Sequence, residues 1–514
     1  MITDTELTRR LDEISLALSD VSMQQDKILD KIIKIVRNTT REQLLSRDPR
    51  VLITCVLRIL FQYEDLLHAE RLCEWKRRRR FRLARNCYHA LLTSYLPKKS
   101  HEVVQTIVTT IYRDRLWEFE TFCFEITCSL LDVGTTNGGS IINLIINLIW
   151  EKLTSPELDV EEARGVLRLL YELLDLHEWP ATQETVATIE KILNLFQMSI
   201  INAQSVKLNF LLPTPPPSLA KLRKSLEVCL RNTIKHLPND QLLIVVQRMC
   251  AWSVIADITD EIILEFGSIL EYAAYTHQAG LFEQTFTTVI FPLLMQMIGS
   301  SSRLINLLGN RVLQYLLDRR DNRAIFDTPK IFFEHTRVYV RIGACRKEDR
   351  LFFKLHREVL HDSLLKSLLN HCDSRMNLET TYCTVCLIAV EVPCGFTAAA
   401  IVCLAMNLQE VILQRQNDQL EVACHVHATI ISIMSLLCWI HKAKVFYNYV
   451  NRIIMERAQW APQLNPPIQS QYNFAVHHVL CNKSELFFVD WEARYGLWKC
   501  FRLADGHDGT SLIA

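Results

Sequence analysis

From Leu7 onward apolar residues recur at alternating spacings of four and three: Leu7, Leu11, Ile14, Leu18, Val21, then Gln25, Ile28, Ile32 and Ile35. This is a heptad seam with one polar position, and Thr3 followed by Glu6 supplies a capping box at its start. The spacing predicts one amphipathic helix over residues 1–37. Leu29 and Val36 widen the stripe beyond a zipper seam. A broad stripe favours packing on the chain's own body, with self-association through residues 7–35 as the alternative.

The pattern then repeats as helix, short break, helix. Between residues 38 and 212 the breaks are "SRDPR", "LPKKS", "DVGTTNGGS", "TSPELD" and "HEWPAT", separated by runs such as "EEARGVLRLLYELLDL". Three prolines at Pro215 to Pro217 cannot lie inside a helix, so residues 213–217 read as an extended loop. A second helical segment runs over 218–460. Within it "TPKIFFEHTRVYVRIGACRKEDR" alternates Val338, Val340 and Ile342 against Arg337, Tyr339 and Arg341, a period of two. A short extended insertion is therefore expected near 330–345. Residues 468–503 form an aromatic terminal cap, and 504–514 read as a flexible tail.

Roughly fifteen amphipathic runs joined by short connections predict an all-α chain, an irregular α-solenoid of stacked helix pairs. No repeat of fixed length emerges, and no tetratricopeptide or ankyrin consensus. The chain resembles the irregular end of the armadillo and HEAT class. That resemblance implies a curved helical surface that binds other proteins, and it carries over no functional residue.

Composition narrows the picture. Lys plus Arg and Asp plus Glu number 57 each, so any pull toward nucleic acid or anionic lipid must be local. Only 13 glycines argue against phosphate loops and tight hairpins. The 17 cysteines lie scattered in apolar windows, as small buried hydrophobes do in a reducing compartment. "MITDTELTRRLDEI" has no apolar core of a secretory leader. A cytoplasmic or nuclear place is the expectation. Two windows, Val385 to Met406 and Val422 to Ile440, are long enough to cross a bilayer, but "EVPCG" breaks the first and His425 and His427 enter the second. Both read as buried helices, and no integral membrane insertion is expected.

Known chemistry is missing from the pattern. No Walker loop, Rossmann fingerprint, "GxSxG" or "HExxH" is present. "HRE" at His356 and Glu358 with Pro393 and Cys394 falls short of a zinc deaminase, because position 397 is Thr397. Cys383 and Cys386 supply only two of four zinc ligands. No catalytic residue, metal site or cofactor is expected.

Two stretches look made for partners. Lys76, Arg77, Arg78, Arg79, Arg80, Arg82 and Arg85 crowd a segment whose one acidic residue is Glu74. The apolar face swings from Leu72 and Trp75 to Phe81, Ala84 and Tyr88, which marks a helix junction or a change of neighbours. Intramolecular acidic partners would explain the run; an acidic protein or an import receptor is the candidate external occupant, and nucleic acid is less favoured. At the other end Trp491, Tyr495 and Trp498 keep helical spacing and could anchor a partner. The leading reading is a non-catalytic scaffold or adaptor in a multiprotein complex, contacting others through the arginine run, the 330–350 insertion and the aromatic cap. The alternatives are a nuclear nucleic-acid-associated protein using residues 76–85, and a membrane-associated protein using 385–440.

Overall fold

The computed structural model describes residues 3–19, 25–69, 75–116, 120–133, 138–154, 160–210, 217–255, 258–335, 339–414, 420–469, 472 and 483–489. Among them the chain forms twenty-one α-helices and no strand. It divides into two compact units, Met1–Gln241 and Leu242–Ala514.

In the first unit the stretch read as one helix is two, Asp4–Ser19 and Gln25–Asn38. They lie on the helices Arg50–Ala69 and Trp75–Arg113, burying Leu7, Ile14, Leu29, Ile32 and Ile35. The wide stripe is therefore spent on the chain's own core. The break expected at "LPKKS" appears as a kink inside Trp75–Arg113, where Pro97 lacks an N–H and Lys99 leaves helical geometry at φ −129°, ψ 37°. Beyond the kink Arg58 grips Asp114 with two bonds of 2.6 and 3.0 Å, fixing one helix on the other. The proline loop lies outside the described residues, and the next helix starts at Pro217, where a missing N–H costs nothing.

The second unit is organised by a buried polar ladder. Asn306, Asn310 and Gln314 stand four residues apart on one face of the helix Arg303–Leu317. They meet Asn377, Thr381 and Thr384 of the helix Arg375–Glu391. Asn377 Nδ2 donates to Asn306 Oδ1 at 2.9 Å, Thr384 Oγ1 donates to Asn310 Oδ1 at 2.8 Å, and Gln314 Nε2 donates to the Thr380 carbonyl at 2.7 Å. Ser367, from a third helix, closes the network at 2.8 Å from Asn306 Nδ2. All these side chains are nearly inaccessible. Sliding the two helices past one another by a turn would orphan several buried polar groups, so the ladder fixes their register. Close approach of a neighbouring helix, Ile290–Ile298, requires Gly309, because a Cβ there would lie 2.7 Å from Met297 Cβ.

Where the insertion is expected the chain between Phe326 and Lys347 is non-helical and forms no strand among its described residues, residues 336–338 lying outside the described set. Phe332 is fully buried and its N–H donates to Ser435 Oγ at 3.1 Å. Asn322 exchanges two 2.9 Å bonds with the backbone of Arg341, and Gly343 N–H donates to the Val390 carbonyl at 2.7 Å. The segment is thus tied across the end of the helix Arg375–Glu391. Glu391 is buried beneath this end with no hydrogen-bond partner on either carboxylate oxygen. Burial, then the negative charge of Asp318, push its carboxyl up to about 7.

The two windows long enough to cross a bilayer meet the interior. The helices Gly395–Gln414 and Leu420–His441 are 61% and 78% buried over their most apolar stretches.

Replacing Asn310 by Ala should leave Thr384 without one of its partners and open a void at the centre of the ladder. The expected cost is about 2–4 kcal/mol, read as a lowered denaturant midpoint of the whole chain. Asn310→Ala unfolding at the wild-type midpoint would show that the ladder does not set the packing.

Candidate functional site

The arginine run opens the helix Trp75–Arg113. Arg80 Nη1 reaches Asp30 Oδ1 at 2.6 Å, and its Nε lies 3.8 Å from Asp26, both acids on the helix Gln25–Asn38. Arg85 pairs with Glu125 of the helix Glu120–Val133 at 2.9 Å. Two of the seven predicted residues are therefore turned to the chain's own acids. Arg79 and Arg82 are exposed, and the side chains of Lys76, Arg77 and Arg78 lie outside the described set. The phase swing read from the sequence coincides with the start of this helix. Trp491, Tyr495 and Trp498 lie outside the described residues.

Within the second unit a cleft of about 810 Å³ opens between the helices Asp260–Thr276, Arg303–Leu317 and Arg375–Glu391. Its floor is the turn after Leu317. There the Asp318 carboxylate accepts the backbone N–H groups of Arg320, Asn322 and Arg323 at 3.2, 2.9 and 2.7 Å, which shapes the loop around one side chain. Arg323 lies 4.1 Å above the Tyr315 ring and donates to Gln314 Oε1 at 3.1 Å, joining the floor to the polar ladder. Tyr315 in turn meets Tyr275 edge to face at 5.6 Å. On the far wall Glu379 accepts from Thr328 and Arg375, each at 3.0 Å. Arg311 pairs with Glu271 at 3.3 Å.

Arg311, Arg319, Asp318 and Glu379 are thus held by the protein itself, Asp321 and Asp327 line the same cleft, and Tyr275 and Met376 stand 67% and 63% exposed at the rim. Rigid aromatic and apolar rim groups over largely pre-paired charges suit capture of a protein segment. Cys383, at the base, donates to the Arg323 carbonyl at 3.7 Å, and burial pushes its thiol up to about 12. A thiol held so far from ionisation is a poor nucleophile or metal ligand. Among the described residues no group of three or more His, Cys, Asp or Glu is arranged to hold a metal ion. The sequence reading missed this cleft; its one signal was the charge-dense "DRRDNR" following an apolar helix.

A second constellation ties down the chain near residue 485. Arg457 is fully buried. Its Nε donates to the Leu486 carbonyl at 2.7 Å, and its Nη1 donates to the carbonyls of His427 and Leu464 at 3.1 and 3.0 Å. Gln409 bonds both the N–H and the carbonyl of Phe488, at 3.1 and 3.2 Å. His427, its ring tilted against the Phe487 ring at 4.8 Å, is pushed down to about 3 by burial and then by the Arg457 charge. Its neutral form is what the fold accommodates.

A histidine lowered in the folded state stabilises fully above its unfolded pKa, near 6.5, and that contribution is lost as pH falls toward 3. The unfolded chain binds the extra proton over that window, so stability should drop with acidification. His427→Gln should reduce the pH dependence of the unfolding free energy by about one proton between roughly pH 6 and pH 4. Equal slopes for the two proteins would remove His427 from the account.

Comparison with known proteins relates this sequence to an armadillo-repeat family. The family described as "EFR3, armadillo repeat" matches residues 113–477, which agrees with the armadillo-like, all-α solenoid class. Protein EFR3 homolog B of Homo sapiens is 21% identical over 163 residues, covering 32% of this chain and 20% of that protein. Its Mus musculus counterpart matches to the same extent. The matched stretch thus spans a fifth of the curated relatives' length. EFR3 homologues are plasma-membrane-associated, which overturns the cytoplasmic or nuclear expectation. That expectation rested on the cysteine usage, which reports a reducing compartment and not attachment to a membrane face.

Proposed function

The chain belongs to the EFR3 armadillo-repeat family, and from that premise we propose that it is a non-catalytic adaptor holding other proteins at a membrane surface. The observation that carries the adaptor reading is the cleft lined by Tyr275, Tyr315, Arg323 and Met376. Most of its charged side chains are engaged by neighbouring groups and its rim carries Tyr275 and Met376, a pairing that favours a bound protein segment over a small charged substrate. The expected occupant is one extended or helical segment of a partner, seated against the two tyrosines. The non-catalytic part of the reading rests on the family match.

Membrane association through residues 385–440 has less to support it. Those residues belong largely to two helices that are mostly buried in the second unit. The arginine run likewise has Arg80 and Arg85 engaged with Asp30 and Glu125.

Photo-crosslinking in cells checks the adaptor reading. A photoreactive residue at Tyr275 or Met376 should capture discrete protein partners, and Arg323→Ala should diminish the capture. The same group at Lys224, exposed on the first unit, is the control. Identical products from all three positions would mean that the cleft is not the partner site.

A further inference from the structure

We infer that the outward face of the helix Lys347–Leu355, continued by Val359, is a docking surface for an anionic lipid bilayer. The inference rests on the membrane-adaptor reading above and assigns it a place on the protein. This helix follows the non-helical insertion directly and is amphipathic in an unusual sense, because both of its faces carry large apolar residues. The inner face is Asp349, Phe352 and Phe353, all buried. Phe352 packs on Phe286 and Phe291 at ring separations of 5.7 and 5.3 Å, and Phe353 meets Phe282 at 5.5 Å. The outer face presents Leu351 and Leu355, 65% and 76% exposed, and Val359, 50% exposed, follows on the next helix, Arg357–Asn370.

A spacing of four residues aligns Leu351 and Leu355 in a ridge on this helix, and Val359 extends the exposed apolar surface past the break at His356. Water is a poor environment for such a ridge, and a partner that removes it from water would be favoured. The flanking charges say which partner. At 100° per residue Lys347, Arg350 and Lys354 fall along one side of the leucines, with Glu348 on the other. Between Arg341 and Val359 there are six basic residues, against Glu348, Glu358 and the buried Asp349 as the acidic ones. An apolar ridge beside a basic flank fits the interfacial zone of a bilayer, acyl chains under the leucines and phosphates beside the lysines and arginines. An acidic protein would use the flank but not the three aliphatic residues, and an apolar protein face would leave the basic flank unmatched.

Rigidity supports the same use. Asp349 accepts Arg319 Nη1 at 2.7 Å, Arg319 Nη2 at 3.1 Å and the Phe282 N–H at 3.0 Å, so the helix cannot roll to bury its leucines. The protein therefore presents the ridge in a fixed orientation and does not order it on binding.

Co-sedimentation of the purified full chain with vesicles tests this. Wild type should bind vesicles of phosphatidylcholine with about 30% phosphatidylserine better than phosphatidylcholine alone, and raised ionic strength should weaken binding. Leu351→Glu with Leu355→Glu should lower the partition coefficient by about tenfold or more, and Lys347→Glu with Lys354→Glu should lower the phosphatidylserine preference. Leu351→Trp with Leu355→Trp should strengthen binding. Thermal unfolding should be unchanged in all three, since the altered side chains face solvent. If the glutamate variant binds as wild type does, the docking surface lies elsewhere and the membrane reading stands. If wild type binds neither vesicle yet fractionates with cell membranes, attachment is through a protein and the proposal is overturned. Absence from both vesicles and cell membranes would overturn both readings. If the glutamate variant loses self-association and keeps vesicle binding, a second copy covers the ridge and the proposal fails.

Discussion

What the second unit presents to its surroundings turns on one ion pair. Asp349 is 1% exposed and would be costly to bury alone, yet it sits between the two Nη atoms of Arg319 and the N–H of Phe282. Arg319 is itself pressed against the Phe282 ring, with its guanidinium carbon 3.6 Å from the centroid. The carboxylate is thereby matched in charge and geometry, and the guanidinium gains an aromatic face as well. A pair so enclosed tolerates little displacement. It decides which side of the helix Lys347–Leu355 faces inward, and hence which side faces out.

The same arginine lines the cleft beside Tyr275 and Tyr315. Two surfaces on the second unit therefore share a structural element: the turn 318–323 that Asp318 organises, and the helix that Arg319 holds. The polar ladder lies beneath the cleft, because Gln314 joins Arg323 on one side and Thr384 on the other. An adaptor must keep its binding faces in fixed geometry. Buried hydrogen bonds provide this better than apolar contacts do, since a shift of register leaves polar groups unsatisfied.

The fold class was legible because amphipathic runs and their breaks are local properties. The break signal "LPKKS" falls where the long helix kinks at Pro97 and Lys99, while the period-two alternation falls on a non-helical stretch that forms no strand among its described residues. What stayed hidden depended on distant partners. Arg80 finds Asp30 fifty positions away, and Asp349 finds Arg319 thirty positions away, so neither pairing leaves a trace in spacing. The ridge was hidden for a further reason. In "KEDRLFFKLHREV" the leucines and the phenylalanines are all apolar, and hydrophobicity alone cannot say which set is core. The buried acid chooses between them, and a carboxylate in sequence reads as surface until its cation is known.

Hydrogen exchange of the full chain, read by mass spectrometry with and without phosphatidylserine-containing vesicles, tests most directly whether this helix meets the membrane. The expected result is slower exchange concentrated in residues 346–360, with the cleft residues near 275 and 315 unchanged by lipid. Slowing confined to residues 75–90, or lipid binding with no change at 346–360, would contradict it.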